Sequence, residues 1–247
     1  MRLEGKTAII TGAANGIGAE ISRLYAQEGA KVVLADLALE QAQEVADAIV
    51  KESGSEAIAV KCNVASKEEV QNVVDICVEK FGKVDIIVNN AGITLPACPI
   101  EDISPEQWKR VLDIDLMGTI YGTQCVIPIM RKNGGGKIIN MASIAGQVGG
   151  VFTEATYPVS KAGVICLAKA VAKQVGKDNI TCNCIAPGTV LTAMTETLGS
   201  ADASLNVPLH RLGNVRDIAN AALFLASNES DFITGATIDV NGGMGMR

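Results

Sequence analysis

The sequence predicts an α/β protein built on a doubly wound, seven-stranded parallel sheet with helices on both faces, and three observations carry that expectation. Short apolar runs alternate with longer stretches of helical periodicity along all 247 residues. Most of the runs are apolar nearly throughout, as strands covered on both faces require. A glycine-rich turn, "TGAANGIG" (11–18), joins the first run to the first helical stretch.

The strand candidates follow in order: "TAIIT" (7–11), "KVVLAD" (31–36), "AIAVKCNV" (57–64), "VDIIVNN" (84–90), "KIINMAS" (137–143), "NITCNCIAPG" (179–188) and "TIDVNGG" (237–243). Between them, "AEISRLYAQEGA" and "KEEVQNVVDICVEKFG" show helical spacing and carry a glycine near the end that serves as a C-cap. With 48% apolar residues the chain has ample material for a core. No linker, low-complexity tract or repeat divides it, so one domain over residues 1–247 is expected.

Charge and composition exclude several function classes. The 21 basic and 27 acidic residues give a net charge of −6 without any basic block, which disfavours nucleic acid. No apolar run approaches the roughly 20 residues that span a bilayer, and the N-terminus lacks a leader pattern, so a cytoplasmic protein without membrane attachment is expected. The 7 cysteines include no C-x-x-C pair and read as reduced core residues, Cys77, Cys125 and Cys166 among them. A single histidine, His210, rules out a zinc site needing two or more His ligands, and no metal is expected. No G-x-S-x-G elbow accompanies it for a Ser-His-Asp triad.

Gly12, Gly16 and Gly18 permit a tight turn, close approach of backbone N–H groups to a pyrophosphate, and close helix packing, while the helix N-terminus adds partial positive charge. Such a turn alone is weak evidence. Asp36, at the end of the second run and roughly 20 residues on, completes the dinucleotide pattern. Its carboxylate can accept both adenosine ribose hydroxyls and would repel a 2′-phosphate, and neither Asn15 nor Leu37 offers an offsetting cation, so NAD(H) is the expected cofactor.

"YPVSK" (157–161) supplies the chemistry. Pro158 suits the first turn of a helix, which places Tyr157 at the helix start and Lys161 one turn on, upon the same face. A free phenol is a poor base at neutral pH, but a neighbouring ammonium and a positive helix end favour the phenolate. A Tyr and a Lys at helical spacing are common, and the pair alone favours an ordinary surface reading.

In combination, "TGAANGIG", Asp36, "NNAG" (89–92), Ser143, "YPVSK" and "PGTVLT" (187–192) resemble the short-chain dehydrogenase/reductase family over essentially the whole chain. The resemblance implies a Rossmann-type fold with strand order 3-2-1-4-5-6-7, a small-molecule substrate and a homotetramer. It implies Tyr157 as the acid/base, Lys161 holding the nicotinamide ribose and favouring the Tyr157 phenolate, and Ser143 hydrogen-bonding the substrate oxygen. Asn90 and Gly92 would lie along the cofactor, Asn63 and Val64 near the adenine, and Val190 and Thr192 at the carboxamide, with Asn15, Ile17, Leu37, Pro187 and Gly188 completing the surface. Two departures stand out. Asp115, in "DLMG", replaces the family's catalytic Asn, whose main-chain carbonyl is thought to hold a relay water; Asn63 replaces a common Asp.

By the same resemblance the substrate pocket falls on 93–98, 144–156 and 189–210, with Leu95, Val148, Phe152, Val190, Leu191, Met194 and Leu198 as lining. This apolar set suggests a hydrophobic secondary alcohol or ketone such as a hydroxysteroid or bile acid. The alternative is a 3-oxoacyl-thioester reductase, since "RLGNVRDIANAALFLAS" and "TIDVNGGMGMR" resemble the carrier-protein-linked reductases. Asp36 and the net negative charge argue against it, although Arg131, Lys132 and Lys137 could form a docking patch. A third expectation, from another class, is an NAD(H)-binding regulator that has lost catalysis, marked by Asp115.

Overall fold

In the computed structural model, which describes residues 1–150, 153–192 and 207–246, each glycine-punctuated apolar run becomes a strand of one sheet. The strands are β1 (Thr7–Thr11), β2 (Lys31–Asp36), β3 (Ala57–Lys61), β4 (Ile86–Asn89), β5 (Gly136–Met141), β6 (Ile180–Pro187) and β7 (Thr237–Val240). All are parallel, in the order β3-β2-β1-β4-β5-β6-β7. The order reverses between β1 and β4, so the crevice beyond their C-terminal ends is the place where an open parallel sheet binds ligands.

Helices cover both faces. On one lie α1 (Gly16–Gln27), α2 (Leu39–Ser53) and α8 (Val215–Ala226); on the other lie α3 (Lys67–Phe81), α5 (Gly118–Lys132) and α7 (Thr156–Val175). Short helices α4 (Pro105–Val111) and α6 (Ala145–Val148) complete the α-helices among the described residues. The strands feed two separate cores by alternation: Ala8 and Ile10 pack with Ile21, Leu24 and Leu223, whereas Ile9 packs with Val73, Val126 and Val164. No described helix is long and apolar enough to cross a membrane.

Strand ends differ from the sequence expectation where side chains redirect the backbone. The third run stops at Lys61, because Asn63 Oδ1 accepts the Ala65 N–H at 3.1 Å and the Asn63 N–H donates to Glu69 at 2.8 Å, forming a turn ahead of α3. The last run stops at Val240, since Gly242 and Gly243 both take positive φ. Cys166 corrects the reading of the cysteines: it is exposed on α7, one position off the face formed by Val164, Ile165 and Ala168, and Cys98 is also exposed. All seven thiols are free.

α8 is set by a capping box. Asn214 Oδ1 accepts the Asp217 N–H and Asp217 Oδ2 accepts the Asn214 N–H, each at 2.9 Å, while Arg211 braces Asp217 at 2.6 Å. Arg211 and the Asn214 N–H hold the Asp217 carboxyl below its ordinary value, so its contribution is complete above about pH 4 and is lost as the pH falls further. Asn214→Ala is expected to cost about 1 kcal/mol in urea unfolding, with the denaturant slope unchanged.

Candidate active site

The residues predicted to hold phosphate form a turn riveted to the neighbouring strand. The Asn90 amide donates to the carbonyls of Thr11 at 2.9 Å and Gly12 at 3.0 Å, and Thr11 Oγ1 accepts the N–H groups of Asn90 and Ala91. Asn90 is therefore a brace, its amide group spent on the backbone, as well as a wall of the cleft. Gly12 takes φ +65°, and a Cβ there would lie 2.8 Å from Ala91 Cα. At Gly18 a Cβ would lie 2.1 Å from the Gly12 carbonyl oxygen. Asn15 precedes α1 without capping it, and no acidic residue occupies the first turn, so the N–H groups and positive end of α1 are left to an anion.

Asp36 ends β2 with both oxygens engaged: Oδ2 accepts the Ala14 N–H and Oδ1 the Ala38 N–H, each at 2.9 Å. The carboxylate thus clamps the glycine turn to the start of the next connection and is fixed in orientation. From Asp36 and Leu37 a cleft of about 470 Å³ runs past Gly12, Asn15, Gly16, Ile17, Asn63, Val64, Asn90 and Gly92 to Ser143, Tyr157 and Lys161. Pro187, Gly188, Val190 and Thr192 complete the predicted lining. Gly18 lies behind the turn rather than in the cleft. A backbone cradle that a single Cβ would fill, an uncapped helix start and a fixed carboxylate fit the pyrophosphate and ribose of a nicotinamide dinucleotide.

At the other end, α7 starts at Thr156, which puts Tyr157 and Pro158 in its first turn and Lys161 one turn on. Lys161 Nζ lies 5.5 Å from the Tyr157 ring centre, donates to the Met141 carbonyl at 3.1 Å, and pairs with Asp115 Oδ2 at 3.3 Å. Ser143, two residues beyond β5, is buried and accepts the Ala145 N–H at 3.1 Å, keeping its own proton to donate. Burial pushes the Lys161 ammonium down, but Asp115 and Tyr157 outweigh it, so the group is held above its ordinary value. Cys62 and Cys184 are neutral thiols, each pushed up to about 12, chiefly by burial.

Asp115 brings its side chain to bear on the site. It lies in a π-helical turn, Leu112–Met117, between α4 and α5, and is fully buried. Its main-chain carbonyl accepts the Thr119 hydroxyl at 2.8 Å, while its side chain reaches the site: Oδ1 accepts the Ile93 N–H at 2.8 Å and Oδ2 faces Lys161. Burial raises its carboxyl above the ordinary range, with Lys161 and the Ile93 N–H opposing.

The substrate expectation changes more. Leu95 and Val148 do not line the cleft, and Val148 is 69% exposed at the end of α6. Leu191 is exposed too, so of the apolar set only Val190 lines the cleft among the described residues. Phe152, Met194 and Leu198 lie outside the described residues. What the structure adds is Glu154, fully buried three residues before Tyr157, whose carboxylate accepts the Leu95 N–H at 3.0 Å and bonds the Thr156 hydroxyl. With the Pro96–Thr153 bridge it ties the segment after β4 to the segment before α7. Arg110 and Ile114, one helical turn apart, also line the cleft unanticipated; their i, i+4 spacing was the available signal. No cluster of His, Cys, Asp or Glu able to hold a metal occurs among the described residues, and His210 is exposed.

Comparisons agree with this geometry. The family profile described as enoyl-(acyl carrier protein) reductase matches residues 12–245. An uncharacterised short-chain type dehydrogenase/reductase of Sinorhizobium fredii is 42% identical over 251 residues, covering 99% of both chains. A 3-oxoacyl-[acyl-carrier-protein] reductase of Thermotoga maritima is 40% identical over 252 residues, again with 99% of each covered. The crystal structure of a short-chain type dehydrogenase/reductase from Mycobacterium marinum superposes with a TM-score of 0.95 at 33% identity, covering 99% of this chain and 97% of that one. The chain is an oxidoreductase acting on CH–OH groups with a nicotinamide cofactor, and it belongs to the short-chain dehydrogenase/reductase family.

Proposed function

We propose that this chain interconverts 3-oxoacyl and 3-hydroxyacyl thioesters with NAD(H). The observation that carries the reading is the joint one: Ser143, Tyr157 and Lys161 converge at the end of the dinucleotide cleft, in a chain 40% identical over its full length to a protein named as a 3-oxoacyl reductase. The relatives favour this reading over the hydroxysteroid one, since several at about 40% identity are named 3-oxoacyl-[acyl-carrier-protein] reductases.

The chemistry supplied by a bound nicotinamide is hydride transfer to and from carbon. The rest falls to the protein. Ser143 donates a hydrogen bond to the substrate oxygen, Tyr157 gives that oxygen its proton in reduction and takes it back in oxidation, and the Lys161 ammonium stabilises the phenolate left behind. Lys161 and the N-terminus of α1 would hold the nicotinamide ribose and the pyrophosphate, respectively. Asp36 supports NAD(H) over NADP(H), since a 2′-phosphate would be set against a carboxylate that two backbone N–H groups hold in place. Against docking of a carrier protein, Arg131 and Lys137 are already paired with Asp178 and Asp231, each at 2.7 Å.

The test follows NADH and NADPH absorbance with acetoacetyl-coenzyme A, an acetoacetyl carrier protein and a panel of hydroxysteroids and bile acids. Reduction of the thioesters is expected, with kcat/KM at least about tenfold higher for NADH, and Asp36→Ala is expected to narrow that ratio. Turnover confined to hydroxysteroids, or NADH binding without any turnover, would sink the thioester reading. A preference for NADPH would sink the assignment to Asp36.

A further inference from the structure

We propose that the Asp115 carboxylate is the built-in counter-charge of Lys161 and, through it, sets the pH at which Tyr157 exchanges its proton. This rests on the reading of Tyr157 and Lys161 as the acid/base pair. Asp115 is a positioning residue: its oxygens meet the Ile93 N–H at 2.8 Å, Lys161 Nζ at 3.3 Å and Ser160 Oγ at 3.4 Å. The Ile93 N–H and the Lys161 ammonium can only donate, which is the environment of an ionised carboxylate rather than of a carboxylic acid, while Ser160 directs its one proton to the Tyr157 carbonyl at 2.7 Å.

The pair is enclosed. Asp115 is 0% and Lys161 4% exposed, so the carboxylate is little screened by solvent. Other groups facing the pair leave it as the dominant local charge. From β6 comes Cys184, a thiol pushed up to about 12 by burial and hence neutral at working pH. From β5 comes the Met141 carbonyl, and from the segment after β4 the Gly92 backbone, where a Cβ would lie 3.1 Å from Lys161 Nζ. Tyr157 shares α7 with Lys161; Arg110, on α4, opens on the same cleft, and Glu154 is turned to Leu95 and Thr156.

A carboxylate that neutralises Lys161 weakens the field by which the ammonium stabilises a Tyr157 phenolate. Asparagine would leave that field whole. Asp115 therefore keeps Tyr157 a phenol at higher pH, the form that donates a proton, and so suits the site to ketone reduction at neutral pH. The carboxylate lies within about 9 Å of the ring centre, as the 3.3 Å and 5.5 Å separations bound it. At that range, in a partly screened site, removing the charge is expected to move the Tyr157 proton exchange by about 1 pH unit.

The experiment reads tyrosinate absorbance against pH in the cofactor-free protein and in Asp115→Asn, each referenced to its own Tyr157→Phe counterpart so that Tyr25 and Tyr121 cancel. The Tyr157 midpoint is expected about 1 unit lower in Asp115→Asn. Asp115→Ala, which cannot clash, is expected to move it the same way should the asparagine variant not fold. A midpoint that stays within about 0.3 unit in the folded variants, or rises, overturns the proposal whether or not a substrate has been found. Where turnover is measured, the acid limb of the alcohol-oxidation profile moves down by the same amount; failure of every substrate would count against the proposed function and leave the absorbance result to decide this inference.

Discussion

Tyr157→Phe is expected to lower kcat for carbonyl reduction by about 10²–10⁴-fold while the protein still folds and binds NADH. The substitution removes one oxygen from a half-buried side chain. The main-chain contact that Tyr157 makes in α7, its carbonyl accepting the Ser160 hydroxyl at 2.7 Å, is indifferent to the phenol. The ring remains 5.5 Å from Lys161 Nζ, so the lining of the cleft is kept and only the transferable proton is lost. Stability should stay within about 0.5 kcal/mol of the parent. Steady-state kinetics with fluorescence titration of NADH separates the two effects. Retention of more than about a tenth of the activity would mean that another group protonates the substrate oxygen.

Gly18→Ala is expected to fail at an earlier step, by spoiling the cradle itself. The added methyl would lie 2.1 Å from the Gly12 carbonyl oxygen and 2.7 Å from the Asn90 amide nitrogen. The first is backbone in a tight turn, and the second is the brace that holds this turn to β4, so neither can retreat cheaply. Overpacking of this kind costs about 1–3 kcal/mol, and the shifted turn is expected to weaken NADH binding by at least about tenfold. Gly54→Ala supplies the contrast. Gly54 also has positive φ, +71°, but nothing lies within 4 Å of its Cβ position, so its cost is confined to backbone strain at the end of α2. Thermal unfolding should register both variants, whereas the NADH titration should register only Gly18→Ala. Equal NADH affinities in the two would remove the cradle from the account of binding.

The parts of the site that were legible are those written as local spacing. The first strand, the turn and the α1 helix follow one another within 21 residues, from Thr7 to Gln27, and Gly12 and Gly18 are required by contacts inside that unit or with Asn90 and Ala91 just after β4. Tyr157, Pro158 and Lys161 fall within five residues, where helical periodicity alone puts the phenol and the ammonium on one face. The substrate wall is not written as local spacing. Val148 looks like lining in a list of apolar residues, yet its position at the end of a four-residue helix turns it to solvent.

The sequence by itself determined the class of the protein: strands that can be buried on both faces, a glycine-rich turn into a helix, an acidic residue at the end of the second strand, and a phenol beside an ammonium. These follow from periodicities and short-range chemistry that hold for any chain with such a pattern. Tertiary structure alone decided what surrounds them. Asp115 reaches Lys161 from 46 positions earlier in the chain because a π-helical turn delivers it, and Glu154 grips the Leu95 backbone across a gap of 59. Whether a carboxylate neutralises a lysine depends on a separation of a few ångströms and on the exclusion of water, and both arise only when distant segments pack together.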